Sequence, residues 1–452
     1  MLPERNSPFR RALNRLLAAL AVGVALAALS PPAHADQALT EQDITFSSGD
    51  LTLHGTVIAP ATGTGHPAVV MVHGSGRVTR DGYRQEAEAF ARAGIVTLIY
   101  DKRPKRSKSD VDFALLADDA LAASRALRAH PGVDPARTGL WGVSEGGWVA
   151  PIAAAGSTDV AFVVTVGAPG VAPERQQSWN LANRLDAAGV SGSLVDTVSR
   201  TTLGLLVGAG LFPESGYDPA PVLARVTQPV LALWGDLDRV IPGAESMRVF
   251  RESLDRGGNR HYALRAVPGA DHTMRRSPDG FQRGDEISPA YLEQVTTWVN
   301  GTRTGTADVG APPQQARQSA PVEAGSPVVQ LVVAALLVVA FAGYGVRAVF
   351  RRRTGARSAS ARVLATTGLL SVLGLLGYLG YLASSGAKSL GVVVLGRPLP
   401  WLALQLLAVA VVAATVVTVV KARAKPDRVV HLLIAGGVLF VPWAVHWGLL
   451  LP

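Results

Sequence analysis

The sequence predicts an α/β domain, built on a mainly parallel sheet with helices on both faces and a small cap, followed by an all-α region of four membrane spans. Three observations predict it. Up to Asn300, short apolar runs ending in Gly, Asp or Pro alternate with helix-spaced stretches, the order that builds a parallel sheet through crossover helices. Beyond Ser326, four apolar runs of about twenty residues succeed one another, each long enough for a ~30 Å hydrocarbon core. The mean hydropathy of +0.25 is high for a purely soluble chain.

Residues 1–35 read as a secretory signal peptide. Arg5, Arg10, Arg11 and Arg15 precede the apolar run Leu16–Leu29, and Ala33-His34-Ala35 supplies a small-x-small cleavage site. As a helix the run rises only about 21 Å, short of a bilayer core. Cleavage after Ala35 is the first reading and an uncleaved anchor the second; both export the α/β domain.

Residues 36–300 carry the α/β pattern. Ile44–Phe46 and Leu51–Ile58 flank Ser-Gly-Asp as an antiparallel hairpin. Further strands are expected at Ala68–Val72, Ile95–Tyr100, Thr138–Val143, Val160–Val166, Pro229–Trp234 and His261–Ala266. Helical spacing marks Gln85–Ala93, Val111–Ala129, a stretch from Gly147, and Pro289–Asn300. The segment 173–225 between two of the later strands is the expected cap. Its apolar run Leu203–Phe212 can line an acyl pocket or form the cap's own core. Residues 301–326, rich in Gly, Pro, Ala, Gln and Thr, read as a flexible tether.

The four spans are expected at 327–346, 363–384, 399–420 and 429–450. Arg347, Arg351, Arg352, Arg353, Arg357 and Arg362 come after the first, and Lys421, Arg423, Lys425 and Arg428 after the third. Only Lys388 and Arg397 lie between the second and third. The excess of positive charge places the first and third linkers in the cytoplasm, so the α/β domain lies outside, as the signal peptide also requires. Tyr378, Tyr381, Trp443 and Trp447 fit interfacial belts, and Gly374, Gly377 and Gly380 fit close helix packing.

The formal charge of +9 does not point to nucleic acid. The basic excess sits in the signal region and beside the spans, which leaves residues 36–325 mildly acidic. There are no cysteines, which excludes disulfides, thiolate metal sites and cysteine nucleophiles.

Gly142-Val143-Ser144-Glu145-Gly146 fits G-x-S-x-G between a strand and a helix. The turn is tight, so small residues are needed on both sides of Ser144, which is thereby raised at a helix N-terminus where negative charge is favoured. His73-Gly74-Ser75-Gly76 closes an earlier strand. The backbone N–H of Ser75, with Gly74 and Gly76 as alternatives, and that of Glu145 are the candidate oxyanion donors. His73 reads as structural. An acid and then a base are expected further along the chain. Gly235-Asp236-Leu237-Asp238 closes a buried strand, with Asp238 the candidate acid and Asp236 a brace for the loop amides. Gly269-Ala270-Asp271-His272 comes after the last strand, with His272 the candidate base and His261 the weaker alternative.

Together these segments resemble the α/β-hydrolase superfamily, and especially bacterial esterases and serine aminopeptidase-like members with a G-x-S-E-G-G elbow. The resemblance covers about Leu51–Asn300. It implies an α/β-hydrolase fold in which Ser144 attacks an acyl carbon, His272 moves the proton and Asp238 holds the imidazole, with no metal and no cofactor. One departure stands out. Where such members carry D-x-R-G-x-G-x-S, this chain has Asp101-Lys102-Arg103-Pro104-Lys105-Arg106-Ser107-Lys108. The five positive charges read either as attraction for an anionic substrate or lipid head group, or as a solvated basic loop.

The expectation is a membrane-integrated, extracytoplasmic serine hydrolase acting on small acyl esters, with thioesters or short peptides as further substrates and no nucleic-acid partner. A ligand-binding sensor coupled to the helices and an acyltransferase on an envelope component are the alternatives.

Overall fold

The computed structural model describes residues 38–76, 79–104, 112–212, 214–301, 305–315, 317–350, 359–387, 389–422 and 428–452. The expected signal peptide and half of the basic loop, Lys105, Arg106, Ser107 and Lys108, lie outside the described residues.

The soluble part is built on a nine-stranded sheet. Strands β1 (Leu39–Ser48) and β2 (Leu51–Pro60) form the expected hairpin, closed at Asp50 and Gly49. Then come β3 (His66–Val72), β4 (Val96–Tyr100), β5 (Val133–Val143), β6 (Val163–Val166), β7 (Val230–Gly235) and β8 (Tyr262–Val267). In space the order is β1-β2-β4-β3-β5-β6-β7-β8, and every pairing from β4 onward is parallel. This is the α/β-hydrolase fold. The parallel core strands read as continuous apolar runs because both faces are covered.

Alternation along β3 shows how the two faces are filled. Ala68, Val70 and Val72 point into one core with helices α2 (Phe113–Arg128), α3 (Gly146–Ala155) and α5 (Gly243–Arg256). Val69 and Met71 point into the other, with α1 (Arg84–Arg92) and α6 (Pro289–Asn300). Each side chain on β3 after His66 is buried, and the period of two decides which layer receives it. Helix α5 is not among the helices expected from spacing; its apolar face, Met247, Phe250 and Leu254, is spaced at three and four residues.

The cap between β6 and β7 consists of α4 (Pro173–Ala187), the continuous turns Ser193–Asp196, Thr197–Thr202 and Leu203–Gly208, and a short turn at Ala220–Leu223. Pro173 starts α4 at the position where a missing N–H is harmless.

Residues 301–326 are not the free tether expected. Among its described residues the segment lies along the domain as a strap. Asp308–Val309 forms β9, which pairs in parallel with β8, and Asp308 accepts from Arg265. Glu245 on α5 then gathers the chain: Oε1 accepts from Gln315 Nε2 at 2.6 Å and Ser319 N at 2.7 Å, and Oε2 accepts from Arg175 Nη2 at 2.7 Å. Trp179 Nε1 donates to Arg317 O, and Gly325 N to Gly204 O. Burial alone would raise the Glu245 carboxyl, but the Ser319 and Gln315 hydrogen bonds and the Arg175 charge hold it below the ordinary range. A local composition with little to bury says nothing about partners about seventy residues away, and polar bonds fix this segment.

Beyond the strap stand four helices long and apolar enough to cross a membrane: α7 (Pro327–Phe350), α8 (Ala359–Ser385), α9 (Leu399–Ala422) and α10 (Arg428–His446). Because Glu245 is an acceptor shared by Arg175, Gln315 and Ser319, Glu245→Ala should open residues 305–326 to limited proteolysis while the rest of the domain stays protected. Equal protection in both proteins, read by mass spectrometry of the fragments, would count against it.

Candidate active site

Strand β5 ends at Val143 and the chain turns into α3 at Gly146, which leaves Ser144 with φ = +54°. That left-handed conformation is uncommon for a residue with a Cβ and is kept only where the surroundings impose it. Here the imposition is visible. Ser144 N donates to Val166 O at 2.9 Å, and Gly147 N donates to Ser144 O at 2.8 Å. A Cβ on Gly142 would lie 2.1 Å from Gly146 O, and one on Gly146 would lie 2.5 Å from Val72 O. The small residues required by the motif are therefore required by backbone contacts with the first turn of α3 and with the end of β3.

The fold brings the candidate acid and base together. Asp238, in the loop after β7, is 2% exposed and accepts from His272 Nδ1 through Oδ2 at 2.8 Å. Its other oxygen, Oδ1, accepts from Val240 N at 2.7 Å and Ile241 N at 2.9 Å. The loop-bracing role anticipated for Asp236 is taken by Asp238; Asp236 Oδ1 accepts from Gln314 N of the strap. The turn presenting His272 is tied by Asp271, whose Oδ1 accepts from Thr273 N at 2.8 Å and Arg275 N at 3.0 Å. Burial draws the His272 imidazole down, but the charge and hydrogen bond of Asp238 outweigh it and leave His272 above its ordinary value of 6.5. His272 and Ser144 are not hydrogen-bonded to each other. His261 lies elsewhere, against Gly305 O.

The two candidate oxyanion donors come from the ends of β3 and β5. Ser75 N and Glu145 N donate to no acceptor among the described residues, whereas Gly74 N donates to the Tyr83 hydroxyl at 3.0 Å. That bond removes Gly74 from the alternatives. His73 is buried, stacks edge-on to Tyr100 at 4.9 Å and bonds the Tyr100 carbonyl through Nε2. Burial pushes its imidazole down to about 4, so it stays neutral.

Side chains from the D-K-R segment hold the site together from beneath. Lys102 Nζ donates to Glu145 Oε1 at 2.5 Å and to Gly74 O at 2.8 Å, with both charged side chains at most 8% exposed. Arg103 forms a two-pronged pair with the buried Asp119, Nε to Oδ2 and Nη2 to Oδ1, each at 2.6 Å. Two of the five positive charges, read from the sequence as substrate-attracting or as solvated, are thus neutralised internally. The remaining three lie outside the described residues.

Sequence reasoning missed Tyr83, Gly167 and the inward role of Lys102. Tyr83 sits in no motif. A Cβ on Gly167, which has φ = +55°, would lie 2.8 Å from His272 Nδ1, so this residue sets the floor beneath the imidazole. Leu203, Leu206 and Phe212, weighed as acyl pocket or cap core, line a cavity of about 150 Å³ together with Leu379, Leu382 and Ala383 of α8.

No family model matches the sequence. A thiohydrolase, aneE, of Aspergillus aculeatus is 35% identical over 105 residues, which is 22% of this chain and 33% of that protein. The chain therefore spans only about a third of that relative. The esterase EstD of Thermotoga maritima is 22% identical over 292 residues, 58% of this chain and 68% of its own. Among solved structures, a dienelactone hydrolase from Anabaena variabilis shares 22% identity, with a TM-score of 0.38 over 57% of this chain and 96% of its own.

Removing one partner of a buried ion pair leaves an uncompensated charge, at a cost of about 3–5 kcal/mol. Lys102→Met should therefore lower unfolding free energy by about that amount, and the double variant Lys102→Met/Glu145→Gln should recover part of it. Denaturant melts of the three proteins test this, and a double variant no more stable than the single would contradict it.

Proposed function

We propose that this protein is a membrane-anchored serine hydrolase that cleaves carboxylic esters outside the cytoplasmic membrane through an acyl-enzyme. The observation that carries the reading is the elbow serine at φ = +54° combined with a buried Asp238–His272 pair on neighbouring strand ends. A binding module has no need of all three.

In this mechanism His272 Nε2 takes the proton of Ser144 Oγ as the oxygen attacks the acyl carbon. The acyl oxygen gathers charge toward Ser75 N–H and Glu145 N–H, which are preorganised and unspent, and the α3 N-terminus adds its dipole. The imidazolium then gives its proton to the leaving alkoxide. Water, deprotonated by the same nitrogen, attacks the acyl-enzyme and returns the acid and free Ser144. Asp238 fixes the tautomer and orientation of His272 throughout. The Ser144–His272 hydrogen bond forms on substrate binding, since catalytic hydrogen bonds in empty sites are often loose. The named thiohydrolase relative supports including thioesters, which leave as thiolates by the same steps.

Sidedness rests on two features that agree. The cap touches the ends of the helices near Pro327, Ser385, Gly396 and Trp447. Arg362, Lys421 and Arg428 mark the opposite ends. Positive charge retained in the cytoplasm puts the hydrolase domain outside.

Ser144→Ala should abolish labelling of the purified protein by a fluorophosphonate, and an unlabelled wild type would sink the enzyme reading. Because the base works only when neutral, kcat/KM should fall as pH drops through a His272 pKa lying above 6.5. Asp238→Asn should reduce kcat by about 10⁴-fold and, with the charge gone, move that acid limb to lower pH. A pH–rate profile shifted the other way would contradict the assignment of Asp238.

A further inference from the structure

Gly74 is gripped on both of its backbone groups. Its N–H donates to the Tyr83 hydroxyl at 3.0 Å, and its carbonyl accepts from Lys102 Nζ at 2.8 Å. A Cβ built on Gly74 would lie 3.5 Å from Ser144 Cβ, from Val143 O and from the Tyr83 hydroxyl, so this loop is in ordinary contact with the elbow. Two consecutive residues of the D-K-R segment reach the two grips. Asp101 Oδ1 accepts from Arg80 N at 3.0 Å, on the turn that carries Tyr83, and Lys102 takes the carbonyl itself.

The carbonyl that Lys102 holds belongs to the same peptide unit as the Ser75 N–H. A peptide unit is planar and trans, so its C=O and N–H point in opposite directions. An ammonium fixed on the Gly74 oxygen therefore sets the direction of the Ser75 N–H. It also draws electron density through the amide toward oxygen, which leaves the nitrogen more positive and its hydrogen a stronger donor. The Lys102 side chain is only 4% exposed, so little water screens its charge. The same ammonium bonds Glu145 Oε1 and holds that carboxylate against a positive charge, although the backbone N–H of Glu145 is the other candidate donor. Left unpaired so close to the elbow, the carboxylate would oppose the oxyanion. Burial, with the Lys102 charge added, pushes the adjacent His73 imidazole down, so His73 brings no second positive charge to the loop.

We propose that Lys102 is a positioning residue of the oxyanion hole: it orients and polarises the Gly74–Ser75 peptide so that the Ser75 N–H binds the tetrahedral intermediate more strongly than the substrate. The inference rests on the serine hydrolase reading and adds what sets the strength of one donor.

The test uses the full chain in detergent micelles with p-nitrophenyl acetate. Lys102→Met removes the ammonium and leaves the Glu145 carboxylate unpaired, whereas Lys102→Met/Glu145→Gln removes both charges and should regain part of the lost stability. Removing an oxyanion donor outright costs about 10²–10³-fold in kcat, so weakening one should cost about tenfold. The double variant should therefore keep a kcat about tenfold below wild type with KM little changed, even as its denaturant midpoint returns toward that of the wild type. A staple with no electrical role predicts that kcat returns with stability, and that result overturns the proposal. A second readout is the carbonyl stretch of the acyl-enzyme trapped with a cinnamoyl ester, measured by infrared difference spectroscopy. It should move to higher frequency in the double variant, and an unchanged frequency overturns the proposal. Should Lys102→Met fail to fold, the double variant decides by itself through both readouts. Absence of fluorophosphonate labelling in the wild type is a different result and fells the hydrolase reading itself.

Discussion

The chain crosses itself at the Ser144 turn with almost no room to spare, and much of the domain is arranged around that constraint. The oxygen of Gly146 lies where a Gly142 side chain would begin, and Val72 O lies where one on Gly146 would. Strand β3, strand β5 and helix α3 are therefore locked in mutual register at one point. The same contacts hold Ser144 in a left-handed conformation that its side chain disfavours. At this turn the unusual φ falls on Ser144, and the central strands around it are packed on both faces.

Charged groups close to the turn act as staples. Lys102 reaches both Glu145 and the Gly74 carbonyl, so one ammonium ties the segment bearing Ser75 to the segment bearing Glu145. Asp238 works in the same way in the next loops, since one oxygen fixes the loop amides and the other fixes His272. In each case a buried charge with several partners sets the spacing of two chain segments, which a point-to-point surface pair does not do. The arrangement leaves few unspent donors near Ser144, and on the proposed mechanism those are the ones that face the developing oxyanion.

The cap joins this rigid centre to the helical bundle. Helix α4 bonds the carbonyls of Arg239 and Val240 on one side and meets the end of α8 on the other. The strap from β9 through Ser319 runs across the same helix by way of Arg175 and Glu245. Soluble domain and bundle are thus connected by packing and hydrogen bonds in addition to chain continuity. On the proposed topology, this places the cap at the outer surface of the membrane.

Much of the candidate site is legible in the local sequence. Ser144, Ser75, Asp238 and His272 each come after a short apolar run, and a run that ends in small or acidic residues marks a strand edge by local chemistry alone. Helices α7 to α10 were legible for a similar reason, because twenty apolar residues have few alternatives to a span. The features that escaped depended on residues far apart in the chain. The strap looked free because its partners sit on α4 and α5; Lys102 looked like a solvent charge because Glu145 is 43 positions away; and Leu203–Phe212 looked like pocket or cap core because no local pattern records the helix that packs against it. Periodicity and turn chemistry are local, and they carry the elements, the chain order of the candidate nucleophile, acid and base, and the apolar runs long enough to span. Which charges are neutralised, which N–H groups remain unspent and which face the cap turns to the helices are tertiary facts, because each is a contact between segments that the chain keeps apart.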